Sequence, residues 1–131
     1  KSTLCSVFFP LWTWINDPSA KWLCSSYSHG LAVRDSVKTR RVMQTPWFKL
    51  RFPECGIAPD QNQKARFELV GGGVRVATTV LGAATGEGGD FIQVDDAHKV
   101  LDSQSEKARD AVIDWWDQTM STRGNDPKTA R

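Results

Sequence analysis

Two adjacent carboxylates follow a short apolar run in the segment GGDFIQVDDAH, residues 88–98. Asp95 and Asp96 come directly after the apolar run FIQV. Carboxylates are costly to bury and easy to solvate, so a pair of them at the end of a buried strand needs an explanation. Such oxygens suit a hard divalent cation, and a carboxylate can also orient or deprotonate a water molecule. The structural alternative is that both side chains only cap or shape the turn before AHKV.

An apolar strand that ends in two acids is the Walker B pattern of nucleotide hydrolases, in which the first acid holds Mg²⁺ and the second activates water. The chain also begins with Lys1-Ser2-Thr3, which matches the end of the phosphate loop GxxxxGK[ST]. There the lysine neutralises phosphates and the hydroxyl binds Mg²⁺. A helix is expected to follow at once, and its N-terminus favours an anion. The two segments together predict a nucleotide site.

The first half of the chain is predicted to alternate helix and strand. Residues 3–15 are predicted to form a helix that is broken or kinked near its proline. The apolar run at 21–28 has the pattern of a buried strand. Residues 30–43 are predicted to be helical, ending before TPW at 45–47, and residues 53–64 are predicted to be a loop.

The second half contains a predicted hairpin, strand and helix. Two β-prone runs within 65–80 flank Gly71–Gly73, and the glycine-rich segment 82–89 is a predicted loop before the strand FIQV. Ser103-Gln104-Ser105-Glu106 is predicted to be the capping box that starts the last helix, which RGNDPK at 123–128 ends. The apolar positions of that helix are Ala108, Ala111, Val112, Trp115 and Thr119.

Strands of continuous apolar character that alternate with helices predict an α/β fold with a parallel sheet covered on both faces. Ligands of such sheets bind beyond the carboxyl ends of the strands. Asp95 and Asp96 follow a strand directly, so they are expected to lie at that edge.

Composition excludes several other classes. The chain has 131 residues, of which 40% are hydrophobic and 24% charged, as in a globular domain. No apolar run approaches the ~20 residues of a membrane span. Its three cysteines are widely spaced and odd in number, which argues against a disulfide framework and for a reducing compartment.

Charge is unevenly distributed although the net charge is only +2. Residues 34–51 contain six basic residues and one acid, whereas residues 87–117 contain nine acids and three bases. The basic stretch indicates an anionic partner, and the alternative is a solvated helix face. The candidate contact residues are Arg34, Lys38, Arg40 and Arg41.

These segments together resemble the large terminase subunit of tailed bacteriophages, the DNA-packaging motor. The GKST helix of that family resembles the segment KSTLCSVFFPLW. The family's next strand, followed by SYS and an RDS helix, is similar to the segment KWLCSSYSHGLAVRDSVKTRRVMQTPWF. The most specific segment is DQNQKARFELVGGGVRVATTVLGAATGEGGDFIQVDDAHK, which resembles a run of the type RFE…GGG…R…ATSVGGALTGEGGD…VDDPHK. DWWDQTMSTRGNDPKT matches the helix that follows in the family.

The resemblance implies that residues 1–131 are part of a P-loop ATPase domain with a mainly parallel central sheet, flanking helices and a β-hairpin insertion. Its cofactors would be ATP and Mg²⁺. Carried over by motif, Lys1, Ser2 and Thr3 would bind the nucleotide, Ser2 and Asp95 would hold Mg²⁺, and Asp96 would be the catalytic carboxylate.

The resemblance also implies partners. Hydrolysis would drive double-stranded DNA into a procapsid, with the portal protein, the small terminase subunit and a homo-oligomeric ring of this subunit, in the cytoplasm of a phage-infected or lysogenic bacterium and without a membrane. A separate nuclease domain would cut the DNA. The resemblance would also assign the basic residues to contacts with DNA phosphates or with a neighbouring subunit: Arg34, Lys38, Arg40 and Arg41.

Some features depart from the family pattern. The chain is expected to start inside Walker A without its glycines and to stop before the coupling motif, so that it is inactive alone. The loop Thr85-Gly86-Glu87-Gly88 lacks the basic residue of many terminases, which leaves Arg75 as the candidate arginine finger.

Two other functions stay open: another P-loop DNA motor of the helicase type, and a non-enzymatic module that binds through the basic helix. For His98, a turn residue and a γ-phosphate sensor are alternatives. Trp115 and Trp116 are expected to pack in the core, and the alternative is a base-stacking platform.

Overall fold

The computed structural model describes residues 1–82, 86–99 and 102–125. A π-helical turn, Leu4–Phe8, runs directly into helix α1, Phe9–Asn16. Pro10 lies in the first turn of α1, where the missing N–H is tolerated. The change from π to α geometry therefore falls where the sequence predicted a break, next to the proline.

Strand β1 (Lys21–Ser26) and helix α2 (His29–Met43) are confirmed where the sequence predicted them. A short helix that the sequence did not predict, α3 (Pro46–Arg51), follows α2. The Thr45 hydroxyl caps it by accepting a hydrogen bond from the Phe48 N–H at 3.4 Å. The helix α2 ends before Pro46, as predicted. Pro46 also starts α3, because proline suits the first turn of a helix.

Three strands follow: β2 (Ile57–Asn62), β3 (Arg66–Leu69) and β4 (Val74–Thr79). β3 and β4 form the predicted hairpin, and Gly72 in its turn has a φ of 89°. The predicted loop at 53–64 is wrong, because β2 pairs with β3 along the edge of the sheet. Its polar sequence IAPDQN suits an exposed edge strand and a loop equally well.

Strand β5 (Phe91–Val94) is confirmed, but it is half-buried because it is the outermost strand at its side of the described sheet. Helix α4 (Glu106–Trp115) runs into a π-helical turn, 116–120. Its N-cap is Ser105, whose hydroxyl accepts from the Ala108 N–H at 3.4 Å. The predicted start at Ser103 is therefore wrong, because residues 102–104 form a 3₁₀ turn. Predictions for 83–85 and 126–128 lie outside the described residues.

The strand order is β2-β3-β4-β1-β5. β1 pairs in parallel with β4 and β5, whereas β2 with β3 and β3 with β4 are antiparallel. The prediction of a mainly parallel sheet is wrong, and the fold is mixed α/β. The hairpin was predicted as an insertion, but its strand β4 pairs directly with β1. The antiparallel strands β3 and β2 therefore continue the same sheet.

Hydrophobic clusters cover both faces of the sheet. Trp22 and Cys24 of β1 belong to the larger cluster, whereas Leu23 between them belongs to the other, because successive side chains of a strand point to opposite faces. The larger cluster contains Trp14 of α1 and Met43 of α2. The second cluster contains side chains of α4 and of the turn that follows it. The prediction of flanking helices is confirmed for both faces. Among the described residues, no helix is long and apolar enough to cross a bilayer.

Candidate functional site

Asp95 and Asp96 lie at the edge of the sheet formed by the carboxyl ends of the parallel strands. The Asp95 N–H donates to the Ser25 carbonyl at 3.0 Å, and the Asp96 carbonyl accepts from the Tyr27 N–H at 2.9 Å. These bonds hold the pair of acids against the end of β1. This is the edge where α/β sheets bind ligands.

The Asp95 carboxylate is tied to the first helical turn. Oδ2 accepts a hydrogen bond from the Ser6 hydroxyl at 3.1 Å, and the Ser6 hydroxyl accepts from Gln93 Nε2 at 2.8 Å. Oδ1 of Asp95 has no hydrogen-bond partner among the described residues. The side chain is therefore oriented from one side and retains one oxygen for a cation or water.

Asp96 has a different environment from its neighbour. Its φ of 50° lies in the left-handed region, which few non-glycine residues adopt, although aspartate is among those that tolerate it. The residue is exposed, and its carboxylate forms no hydrogen bond or ion pair in the described part of the chain. Unusual backbone conformations cluster at functional sites, so this geometry favours a role beyond turn formation.

Lys1, Ser2 and Thr3 stand at the start of the first helical segment, and the Lys1 carbonyl accepts from the Cys5 N–H at 3.1 Å. No hydrogen bond or ion pair joins these three residues to Asp95 or Asp96 in the described structure. The side chain that does reach Asp95 is Ser6, one helical turn beyond Ser2. The first helical segment therefore contacts Asp95, but it does so through Ser6, a residue that the motif did not predict.

Arg75, the candidate arginine finger, is fully buried. Its Nη2 donates to the Ser6 carbonyl at 2.9 Å. Pro10, four residues after Ser6, has no N–H for that carbonyl, which explains why the guanidinium can serve it. In this conformation Arg75 faces a cleft of its own chain that Asp95 and Asp96 also line, and it is not presented to a neighbouring subunit.

Asp35 is a buried carboxylate in the same cleft, and its side chain is 8% exposed. Arg34 donates to both of its oxygens, at 2.9 and 3.0 Å, and Lys38 Nζ lies 3.5 Å from Oδ1. Burial raises the pKa of Asp35, but the hydrogen bond and charge of Arg34, with the charge of Lys38, outweigh it. The pKa therefore lies below its ordinary value, and the carboxylate is charged at neutral pH.

The four candidate DNA contacts are not equally available. Arg34 and Lys38 are engaged by Asp35, and Arg40 donates through Nη2 to the Asn62 side chain. Arg41 is exposed and forms no hydrogen bond or ion pair with any described residue. The basic stretch therefore offers fewer free cations than its composition indicates.

His98 lines a separate cavity together with Tyr27 and Val112, and its Nε2 is enclosed without a hydrogen-bond partner in the described structure. Trp115 is buried in the second hydrophobic cluster, and its Nε1 donates to the Gly82 carbonyl at 3.3 Å. Trp115 is therefore a core residue, whereas Trp116 is 40% exposed.

Sequence reasoning missed Ser6, Gln93 and Asp35 as members of the site. Asp35 carried a signal, because it is the only acid in the basic stretch 34–51. Gln93 is the polar residue of the strand FIQV, which a buried apolar strand does not explain. Ser6 carried no signal, because its role depends on a contact between residues 89 positions apart.

The oxygens at this edge fit Mg²⁺ in kind. Asp95 Oδ1 and the Asp96 carboxylate are without donors in the described structure, and Mg²⁺ is bound by one or two carboxylates with water completing its shell. No group of three or more His, Cys, Asp or Glu side chains is arranged to hold a metal among the described residues. A cation here would therefore depend on water and on a phosphate ligand.

No protein-family model matches this chain, and no curated protein matches it. The terminase hypothesis therefore rests on the quoted motifs and on the positions of their residues.

Proposed function

We propose that this chain is part of the ATPase motor of a phage large terminase, in which ATP hydrolysis drives double-stranded DNA into a procapsid. The observation that carries the proposal is the bond between Asp95 at the end of β5 and Ser6 in the first helix. It supports the proposal because Ser6 belongs to the helical segment that follows Lys1-Ser2-Thr3, and the phosphate loop and the Walker B acid are neighbours in P-loop ATPases.

Each residue then has a separate role. Lys1, Ser2 and Thr3 bind the phosphates, and Ser2 with Asp95 holds Mg²⁺, which neutralises developing charge on the phosphates. Asp96 accepts the proton of the attacking water, a role that suits an exposed carboxylate with no competing donor. Phosphoryl transfer needs mainly positioning and charge stabilisation, so the geometry of these few groups decides the rate.

The partners follow from the same proposal. The motor would act on double-stranded DNA as a homo-oligomeric ring at the portal protein, with the small terminase subunit and a nuclease domain completing the machine. Arg41 is the best placed of the basic residues to contact DNA, because it is exposed and free of partners among the described residues.

Mg²⁺-dependent ATP hydrolysis tests the proposal when it is measured for two proteins: the 131-residue chain, and the same chain preceded by a strand and a GxxxxG loop. We expect turnover from the second and little from the first, because the loop supplies the preorganised amide donors. Robust turnover from the chain alone, or none from the extended chain, would contradict the assignment. Turnover that rises with DNA length only when procapsids are present separates a packaging motor from a helicase-type motor.

A further inference from the structure

Helix α3 exposes two large apolar side chains next to two cations. Leu50 is 88% exposed and Trp47 is 67% exposed, whereas their neighbour Phe48 is buried in the larger hydrophobic cluster. Lys49 and Arg51 are also exposed, and their side chains form no hydrogen bond or ion pair in the described structure. Adjoining apolar side chains that are rimmed by polar groups mark sites of interaction with other molecules. The outward side of α3 is therefore a candidate docking surface.

A cavity of about 210 Å³ lies beside α3 and opens to solvent. Its lining is mainly apolar and includes Ile15, Pro18, Phe52 and Pro53, together with the charged residues Arg51 and Glu54. Phe52 packs edge-on against Trp47, with ring centroids 6.0 Å apart, so the cavity continues the exposed side of α3. A cavity of about 150 Å³ accommodates benzene, so this one has room for a branched aliphatic side chain. We call Trp47, Lys49, Leu50, Arg51 and this cavity the α3 surface.

Helix α4 presents the opposite charge around an exposed isoleucine. Val112 and Trp115 pack in the second hydrophobic cluster, which fixes the buried side of the helix. The residues of the outward side follow one another at spacings of three and four and are all exposed: Glu106, Asp110, Ile113 and Asp114. Ile113 is 57% exposed, and the three acids form no hydrogen bond or ion pair in the described structure. We call these four residues the α4 stripe; Lys107 and Arg109 lie to either side of it.

The charges of the α4 stripe are unfavourable for a helix that faces only water. Glu106 with Asp110, and Asp110 with Asp114, are like-charged pairs four residues apart, which destabilise a helix. The positive end of the helix dipole favours an acid in the first turn, which accounts for Glu106 alone. A cationic surface that faces the stripe would remove the repulsion. The pattern is therefore that of an acidic helix face with a cationic partner.

The α3 surface and the α4 stripe lie on opposite faces of the sheet. Phe48 anchors α3 in the larger hydrophobic cluster, whereas Trp115 anchors α4 in the cluster on the other face. The two surfaces cannot meet within one chain, but they can meet between two copies. Such a contact joins different surfaces of the two copies and is called heterologous. Double-stranded DNA suits the α3 surface less well, because protein surfaces that bind DNA are polar and strongly positive, whereas Trp47 and Leu50 are apolar.

We propose that the α3 surface binds the α4 stripe of a second copy of this chain. Ile113 of one copy enters the cavity of the other, and Lys49 and Arg51 face the acids of the stripe. One helix face against another is a small interface, so the contact is weak. That it joins neighbouring subunits of a motor ring rests on the proposed function. The contact between two copies does not.

Sedimentation velocity of the 131-residue chain, from micromolar to millimolar concentration, tests whether two copies associate. We expect assembly that grows beyond a dimer with concentration, because each copy retains one free surface of each kind. Added salt should weaken the assembly, because it screens the charges. A chain that stays monomeric throughout overturns the proposal. If Arg51→Glu then lowers the affinity for double-stranded DNA, the α3 surface contacts DNA instead.

Three variants show which surfaces are responsible. Arg51→Glu changes the α3 surface and Asp110→Lys changes the α4 stripe, while Lys64→Glu reverses an exposed charge outside both. All three positions are exposed, so the fold should be retained. We expect association to weaken about tenfold or more in Arg51→Glu and in Asp110→Lys, because like charges would face each other. Lys64→Glu should associate as the wild type does. Wild-type association of Arg51→Glu or Asp110→Lys overturns the proposal.

Mixing Arg51→Glu with Asp110→Lys tests that the contact is heterologous. The first variant retains the α4 stripe and the second retains the α3 surface, so the mixture contains one intact pair. We expect a dimer of the two variants that forms with nearly wild-type affinity and does not grow further. A mixture that associates no better than either variant alone overturns the proposal. These measurements need no nucleotide, so a failure of the proposed ATPase function would leave their outcome unchanged.

Discussion

The two carboxylates at the end of β5 are adjacent in sequence but have different surroundings. Asp95 is half-buried and accepts from Ser6, whereas Asp96 is exposed, in the left-handed region, and free of donors in the described structure. Neighbouring carboxylates in different environments are how enzymes divide roles between two acids. Under the proposed function, this contrast favours the oriented Asp95 as the Mg²⁺ ligand and the exposed Asp96 as the acceptor of the water's proton.

Asp95→Asn should weaken Mg²⁺·ATP binding in the chain preceded by a strand and a GxxxxG loop. The change removes one negative charge next to a divalent cation but retains an oxygen for the Ser6 hydroxyl. We expect a loss of about tenfold or more in affinity, which titration calorimetry measures at several Mg²⁺ concentrations. Asp102→Asn, an exposed acid near the start of α4, is the control. Unchanged affinity in Asp95→Asn would remove Asp95 from the metal site.

Asp35 should make stability depend on pH in the acid range. Its pKa in the folded protein is lowered, so its contribution is present above its ordinary pKa of 3.8 and is lost as pH falls through the lowered value. Asp35→Asn should reduce the free energy of unfolding by about 1–2 kcal/mol at pH 7, since its partners Arg34 and Lys38 are about half-exposed. Urea unfolding at pH 7 and at pH 2–3 should show this difference shrinking in acid. A difference that is equal at both pH values would show that the ion pair does not stabilise the fold.

Among the helices and strands, the hydrophobic pattern predicted those whose side chains pack in the core. β1 is buried along five of its six residues, and the glycine turn between β3 and β4 has a local signature, so both were predictable. β2 and α3 were missed, because their sequences are those of an exposed edge and a short connection. In β2, main-chain pairing with β3 replaces the apolar pattern that strand prediction depends on.

Ser105 should stabilise α4 through its N-cap. Ser105→Ala removes the acceptor for the Ala108 N–H and should lower the free energy of unfolding by about 1 kcal/mol. The control is Ser121→Ala, because the Ser121 hydroxyl only donates to the Asp117 carbonyl one turn earlier. Chemical denaturation measures both. Equal stability of Ser105→Ala and wild type would show that the Ser105 hydroxyl does not stabilise α4.

Helix α2 should contact DNA without reading its sequence. Arg41→Ala should reduce the slope of log K against log salt concentration by about 0.9, the effect of one lost phosphate contact. Fluorescence anisotropy with double-stranded DNA over a range of salt concentrations measures it, with Lys107→Ala on the acidic helix α4 as the control. A slope that Arg41→Ala leaves unchanged, together with impaired ring assembly, would assign Arg41 to a subunit interface.

At the scale of the whole molecule, the elements were predictable but their arrangement was not. The order β2-β3-β4-β1-β5 brings β4 beside β1, although 47 residues separate Ser26 from Val74, and no local pattern encodes that pairing. The same long-range packing creates the site, because it places Ser6, Arg75 and Asp95 together. The motifs predicted Asp95 and Asp96 as candidate site residues, and the fold adds Ser6 and Gln93, which form a hydrogen-bonded chain to Asp95.

The substitution Asp96→Asn tests whether Asp96 accepts the proton of the attacking water, with nucleotide binding and turnover measured separately in the chain preceded by a strand and a GxxxxG loop. A carboxamide can hydrogen-bond water but cannot accept its proton, so turnover should fall on the order of 10²-fold or more while Mg²⁺·ATP binding stays nearly intact. Asp96→Glu should retain partial activity, because an added methylene misplaces the carboxylate by about 1 Å. Turnover of Asp96→Asn at a near wild-type rate would contradict a catalytic role for Asp96, which would then only shape the turn after β5.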